Sequence, residues 1–186
     1  MELHDIRADV FRQLSRGVAD RRSPYRNPAF GTVGGDGRPQ VRTVVLRAFD
    51  PGALVLTVHS DVRASKIREI QADPRVTVHV WDDGAQVQVR LDGTASVRTG
   101  ADARPDWDLL HPGSRATYAV RLRPATLLAD PAVADTDRLD EAEAFANFAV
   151  IPVRLAGLDW LHLGRGGHRR AVFRFGEGED ARWVVP

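Results

Sequence analysis

Residues 76–92 read VTVHVWDDGAQVQVRLD, and this stretch alternates with period two on either side of a break. Val76, Val78 and Val80 alternate with polar or aromatic residues, Val87, Val89 and Leu91 alternate with polar ones, and Asp82-Asp83-Gly84 lies between the runs. Alternation sends successive side chains to opposite faces, so each run is a strand with one face toward a core. Asp and Gly between two such runs mark a turn, and the pair reads as an antiparallel hairpin. Gln88, Arg90 and Asp92 fall on the other face, which meets water or a ligand.

Working outward, residues 29–33 read as a first strand, and Gly34-Gly35-Asp36-Gly37 as a hairpin turn. Residues 41–49 are rich in β-branched side chains and predict a single strand. Asp50-Pro51-Gly52 ends it, and 53–58 returns as an antiparallel neighbour. Upstream, Leu3, Ile6, Val10, Leu14 and Val18 recur at helical spacing with Phe11 beside them, predicting an amphipathic helix over 3–19. A short helix is expected over 63–72, stopped by Asp73-Pro74. Downstream, 101–120 reads as helix in two pieces split near His111-Pro112-Gly113, 121–137 as irregular, and 139–148 as a helix. Residues 150–163 and 169–175 predict a second hairpin around a Gly164–Gly167 turn, and 181–185 an edge strand. Many short antiparallel strands with a few helices define a mainly β, barrel-like class, and 186 residues suit one domain.

Composition excludes several functions. The chain has no Cys, so disulfides and thiolate metal sites are unavailable, a usage compatible with a reducing compartment. Lys and Arg total 26 against 25 Asp and Glu, and no basic run stands out, so nucleic acid is not an expected partner. The opening MELHDIRADVF carries acids and lacks an apolar signal core, and no run approaches the roughly 20 apolar residues of a membrane span. The expectation is a soluble, cytoplasmic protein. No Gly-rich dinucleotide fingerprint, Walker loop or GxSxG elbow occurs, and the six His show no metal-ligand spacing, so no metal site is expected.

What remains is a set of cations on or beside strands. Arg42 and Arg47 flank the apolar TVVL run, and Arg63, Ser65 and Lys66 open the helix at 63–72. A helix start offers free N–H groups and the positive end of a dipole, which suits phosphate. On the residues alone this is either a phosphate site or a solvated helix start. Gln88 and Arg90 either hold a planar heterocycle or simply face outward, and Trp160 is either a core aromatic or a ligand contact.

Four segments decide between these readings. They are RTVVLR at 42–47, HSDVRASKIREIQADP at 59–74, VHVWDDGAQVQVRLDG at 78–93, and Trp160 followed by His168 and Arg170. In this order, across 27–175, they resemble the FMN-binding split-barrel family of pyridoxamine 5'-phosphate oxidase. The resemblance implies a six-stranded antiparallel split β-barrel with peripheral helices. It also implies FMN as cofactor and a homodimer in which both subunits contribute to each flavin site. By resemblance, Arg42 contacts the FMN phosphate, Thr43, Val44, Val45 and Leu46 lie along the flavin, and Arg47 stands near both flavin and substrate. His59 and Ser60 line the cofactor and Lys66 binds its phosphate. Ser65 replaces a family Arg, with Arg63 compensating from nearby. Gln88 contacts the flavin, Trp160 and Arg170 reach it from the last hairpin, and His168 faces the substrate. The flavin carries the chemistry, so no catalytic side chain is assigned.

Two departures weaken the substrate site. Gly166 stands where the oxidase has an Arg that holds its pyridoxine substrate, and SRATY at 114–118 only faintly echoes the family's serine-containing segment. The expected function is an FMN-dependent oxidoreductase acting on an unidentified small molecule. The alternatives are a non-catalytic flavin-holding module and a true pyridoxamine phosphate oxidase.

Overall fold

The structure is a computed structural model and describes residues 2–135, 137–176, 178 and 180–186. The first helix, α1, spans Leu3–Ala19, as its apolar spacing predicts, and a reciprocal Glu2–Asp5 capping box starts it. Its stripe carries Ile6, Val10 and Leu14 fully into the core, each contributing roughly 1.5–3 kcal/mol.

Nine strands follow among the described residues: β1 (Ala29–Val33), β2 (Pro39–Thr43), β3 (Leu46–Asp50), β4 (Val55–Asp61), β5 (Arg75–Asp82), β6 (Val87–Ala95), β7 (Phe148–His162), β8 (Arg169–Arg174) and β9 (Asp180–Val184). They form one sheet in the order β2-β1-β5-β6-β7-β4-β3, with β8 added to β7 and β9 to β8, and every ladder is antiparallel. The hairpin at 76–92 is β5 and β6, with Val78 opposite Leu91 and Val80 opposite Val89.

Two expectations need correction. The strands number nine where the runs expected above give eight, because the single run expected at 41–49 divides; β8 and β9 are the expected strands at 169–175 and 181–185. The division falls at Val44-Val45. Thr43 pairs with Ala29 on one side, while Leu46 pairs with Val58 on the other. β2 and β3 are thus the two ends of the main path, yet three residue steps join them, which reach at most roughly 11 Å. The sheet must roll up to allow this, and the chain bridges its seam where no ladder does. Second, the helix expected at 139–148 is only α5 (Glu141–Ala146), and Phe148 already begins β7.

β7 is 15 residues long and holds the molecule together. One edge pairs with β6; the other pairs first with β4, through Arg154, and then with β8, from Gly157. In its first half Ala149, Ile151 and Val153 enter the main core, while Phe148 and Val150 join a second cluster with Trp107, Tyr118, Ala103 and Ala144. That cluster draws Trp107 from the short helix α3 (Arg104–Asp108) and Ala144 from α5, which cover this side of the sheet, while α4 (Pro112–Arg115) buries no residue. A bulge between Asp92 and Gly93 lets β6 follow the bend. A Cβ at Gly93 would lie 2.4 Å from the Arg154 carbonyl oxygen, so the backbones approach too closely for any other residue. The remaining helix, α2 (Ser65–Ala72), buries Ile67 and Ile70 against the open end of the barrel.

Candidate functional site

α2 brings the cations of two segments together. Arg42, Arg63, Ala64, Ser65, Lys66, Arg68 and the Arg123–Ala125 turn line a pocket of about 330 Å³ at its start. Arg42 sits on β2 opposite Phe30 and reaches over the barrel end, where Nη2 pairs with Glu69 Oε2 of α2 at 2.7 Å and Nη1 donates to Thr32 Oγ1. Thr32 in turn donates to the same carboxylate oxygen at 2.5 Å. Burial pushes the Glu69 carboxyl up, but the hydrogen bonds from Thr32 and Arg42 outweigh it and hold the group below its ordinary range. Lys66 Nζ donates to Ser60 Oγ at 3.1 Å. Burial first, then the Arg42 charge, hold the Lys66 ammonium below its ordinary range, with Glu69 and Asp61 opposing. A half-buried ammonium crowded by a guanidinium gains from an anion, so this donor set fits a phosphate group. α2 has no side-chain cap at its N-cap, Ala64, which leaves that end to a ligand or water.

Arg63 lines the same pocket but is heavily engaged. Its guanidinium forks onto Asp61 at 2.7 and 2.9 Å and donates to the carbonyls of Val120 and Arg121 at 2.9 and 3.0 Å. It pins the 120–128 segment beside β4. Behind that segment lies a chamber of about 490 Å³ lined by His59, Ser60, Thr117, Tyr118, Leu122 and Leu128, sharing Arg63 and the Arg123–Ala125 turn with the cationic pocket.

His59 faces this chamber from β4, its side chain only 7% exposed, edge-on to Phe148 and 3.8 Å from Asp106 Oδ1. Burial and the Arg47 charge push its imidazole down to about 4. It is therefore neutral near pH 7. Arg47, in the irregular start of the β3–β4 ladder, has a buried Nε with no hydrogen-bond partner among the described residues. Val44 and Leu46 are buried in the core, Val45 is half-buried, and Thr43 is exposed.

The remaining predicted residues lie elsewhere. Gln88 and Arg170 sit on the outer face of β6 and β8, and neither lines the two pockets around α2. Trp160 is on the opposite, core-facing side of β7, opposite Val89 and Ala171, and stacks on His162. His168 is exposed in the β7–β8 turn. A larger concavity, about 640 Å³, is a groove across the outer sheet face lined by residues such as Val41, Thr77 and Asp92, and it too contains none of the predicted residues.

Sequence reasoning missed the groups that hold these side chains in place. Glu69 fixes Arg42, and Asp61 fixes Arg63. Asp159, its side chain 8% exposed, grips Arg170 with both oxygens and lies 3.4 Å from Arg90. Arg68 and Arg123 were also missed as pocket residues. Glu69 stands one turn after Lys66 on α2, which is the signal that was available. No group of three metal-ligating side chains occurs among the described residues, and no helix there is long and apolar enough to cross a membrane.

The geometry so far defines a rolled antiparallel sheet with a cationic, phosphate-compatible pocket at one end, the architecture of a split-barrel flavin-binding protein. Residues 8–99 match the family described as pyridoxamine 5'-phosphate oxidase, FMN-binding domain, and this segment belongs to that family. FMN is the cofactor of this domain. A pyridoxine/pyridoxamine 5'-phosphate oxidase of Microcystis aeruginosa is 33% identical over 86 residues, covering 46% of this chain and 39% of that one. The chain spans less than two thirds of the length of the curated relatives it matches. Among solved structures, a pyridoxamine 5'-phosphate oxidase-related, FMN-binding protein of Nostoc punctiforme superimposes with TM-score 0.79 at 20% identity, covering 100% of both chains. PhzG of Burkholderia lata, solved with tetrahydrophenazine-1-carboxylic acid, gives TM-score 0.76 at 15% identity over 96% of this chain and 91% of that one. At such identities these two establish the fold alone.

Proposed function

We propose that this protein is an FMN-dependent oxidoreductase acting on a small molecule other than pyridoxamine phosphate. The observation that carries the reading is the cationic pocket at the start of α2, where Arg42, Arg63, Ser65, Lys66 and Arg68 fall within the residues that match the FMN-binding domain and the Arg123–Ala125 turn closes one side from outside them. Lys66 and Ser65 would hold the phosphate, with Arg42 kept in place by Glu69 and Arg63 by Asp61. Val44, Val45 and Leu46 would offer backbone along the flavin, and His59 and Ser60 would wall it. The hydride chemistry in such a protein belongs to the flavin; the chain's own residues bind, orient and exclude water. Arg47 and His168 would contact the substrate.

Gln88 and Arg170, on the opposite face of the sheet from the phosphate pocket, would serve the site of a second copy. Exposed Val41 (70%) and Trp81 (38%) on that outer face support a partner there. A homodimer with two shared sites accounts for both clusters.

Gly166 supports a substrate other than pyridoxamine phosphate. A Cβ there would meet nothing within 4 Å, so packing does not impose the glycine, and the oxidase's Arg is missing from a place with room for it. One lost charge-assisted contact costs about 2 kcal/mol, some thirtyfold in kcat/KM. The test is an anaerobic screen of flavin bleaching with pyridoxamine phosphate, pyridoxine phosphate and nicotinamide donors. Bleaching by a donor other than the two pyridoxine compounds is expected. Turnover of pyridoxamine phosphate at about one per second or faster would refute the reading.

A further inference from the structure

The pocket at the start of α2 carries more positive charge than one phosphate group uses. Five of its lining residues are cations: Arg42, Arg63, Lys66, Arg68 and Arg123. Two are matched by carboxylates, Arg42 by Glu69 and Arg63 by Asp61. Lys66, Arg68 and Arg123 have no ion-pair partner among the described residues. A phosphate monoester brings a charge of about −1.5 to −2 near pH 7, so three unmatched cations exceed what it neutralises. The space is also generous. At about 330 Å³ it equals the liquid volume of about ten waters, more than a single phosphate displaces.

Arg123 is presented to this pocket by a built turn. Pro124 follows it, Ala125 takes a left-handed φ of 67°, and the Thr126 N–H and hydroxyl both donate to the Arg123 carbonyl, at 3.1 and 2.8 Å. Pro at the second position and positive φ at the third describe a type II turn, whose third residue is ordinarily glycine. Alanine there is strained, and strain of this kind gathers where a ligand is met. Just upstream, the Arg63 guanidinium ties the Val120 and Arg121 carbonyls to the pocket wall. Arg123 lies outside the residues matched to the FMN-binding domain, so the family match says nothing of it.

We propose that Arg123, together with Arg68, forms a second anion subsite beside the FMN-phosphate pocket, and that it takes a second phosphoryl group adjoining the flavin phosphate. The proposal rests on the reading of Lys66 and Arg42 as FMN-phosphate residues. Two sources share this chemistry: the pyrophosphate of a flavin dinucleotide, and a separate phosphorylated small molecule bound beside FMN.

The experiment measures Kd for riboflavin, FMN and FAD by fluorescence quenching, in the wild type and in Arg123→Gln, Arg68→Gln and Lys66→Ala. Inorganic phosphate is also titrated into the FMN-loaded protein by calorimetry. Arg123 and Arg68 are exposed and make no side-chain hydrogen bond among the described residues, so their variants keep the fold. The expected result is that Arg123→Gln weakens FAD about tenfold or more and FMN less than about threefold. A separate source is indicated if FAD is indifferent but millimolar phosphate binds the FMN-loaded wild type and not Arg123→Gln. Either result supports the subsite. Equal weakening of FMN and FAD would overturn it, assigning Arg123 to the first phosphate. So would FAD and phosphate binding that ignore both arginines. If Lys66→Ala affects FMN and riboflavin equally, the underlying phosphate assignment falls and the subsite with it; if Lys66 behaves as assigned, only the subsite is at stake.

Discussion

Lys66 and Arg42 stand in one pocket, yet their substitution has different consequences. Lys66 donates only to the Ser60 hydroxyl, so Lys66→Ala removes a phosphate contact and little else. It should weaken FMN by about 2 kcal/mol, roughly thirtyfold, and leave riboflavin, which lacks the phosphate, nearly unchanged. Comparing the two dissociation constants checks this. Arg42→Ala also strips the Glu69 carboxylate of its cation, so it should lower stability by about 1–3 kcal/mol in addition, visible as an earlier urea midpoint than that of Lys66→Ala. His59 gives a pH signature. Its folded pKa lies near 4, below the unfolded value near 6.5, so the unfolded chain binds more protons between those limits. Stability is therefore full above about pH 6.5 and declines as pH falls toward 4, by on the order of 3 kcal/mol. His59→Gln should flatten that part of the urea-midpoint profile; an unchanged slope would show that His59 does not titrate in this way.

At the scale of elements, the β6 bulge is the place least tolerant of change. Gly93→Ala forces a methyl against the Arg154 carbonyl oxygen and should cost about 3 kcal/mol, whereas Gly166→Ala, in open space, should stay within about 0.5 kcal/mol. Chemical denaturation of both variants decides the point. The contrast also explains what the sequence made legible. α1, β1 and the β5–β6 hairpin each have one buried and one wet face, so their apolar spacing displays the period of the element. The first half of β7 is covered on both faces, and FAVIPV accordingly shows no alternation. Ala144, Phe145 and Phe148 then mimic a helical stripe, which carried the expected helix too far. The break at Val44-Val45 left no mark either, because both residues remain apolar while the backbone changes partners. Of the pocket cations, Arg42, Arg63 and Lys66 were readable from motif and order, and Arg68 and Arg123 were not. Their partners Glu69, Asp61 and Asp159 were not, because an ion pair between elements has no sequence period.

At the scale of the whole molecule, the two groups of flavin residues make the proposed pairing testable by mixing. Lys66 and Arg170 belong to different groups, one at the barrel end and one on the outer face. If each site draws Lys66 from one copy and Arg170 from the other, Lys66→Ala and Arg170→Ala proteins each bind FMN poorly. Refolded together, they should regain one intact site per mixed pair. Failure to regain binding, or light scattering that shows a monomer with flavin bound, would refute the shared-site arrangement.

The length of β7 has a consequence for synthesis. Until residues 148–162 leave the ribosome, the facing edges of β4 and β6 have nothing to pair with, although both strands were made more than 50 residues earlier. The nascent chain therefore carries two open strand edges and an uncovered apolar interior while residues 96–147 are made. One late segment closes both at once. A ribosome stalled before β7 would hold a chain ready to pair with its neighbours, and the cell's holding chaperones are the natural cover for that interval.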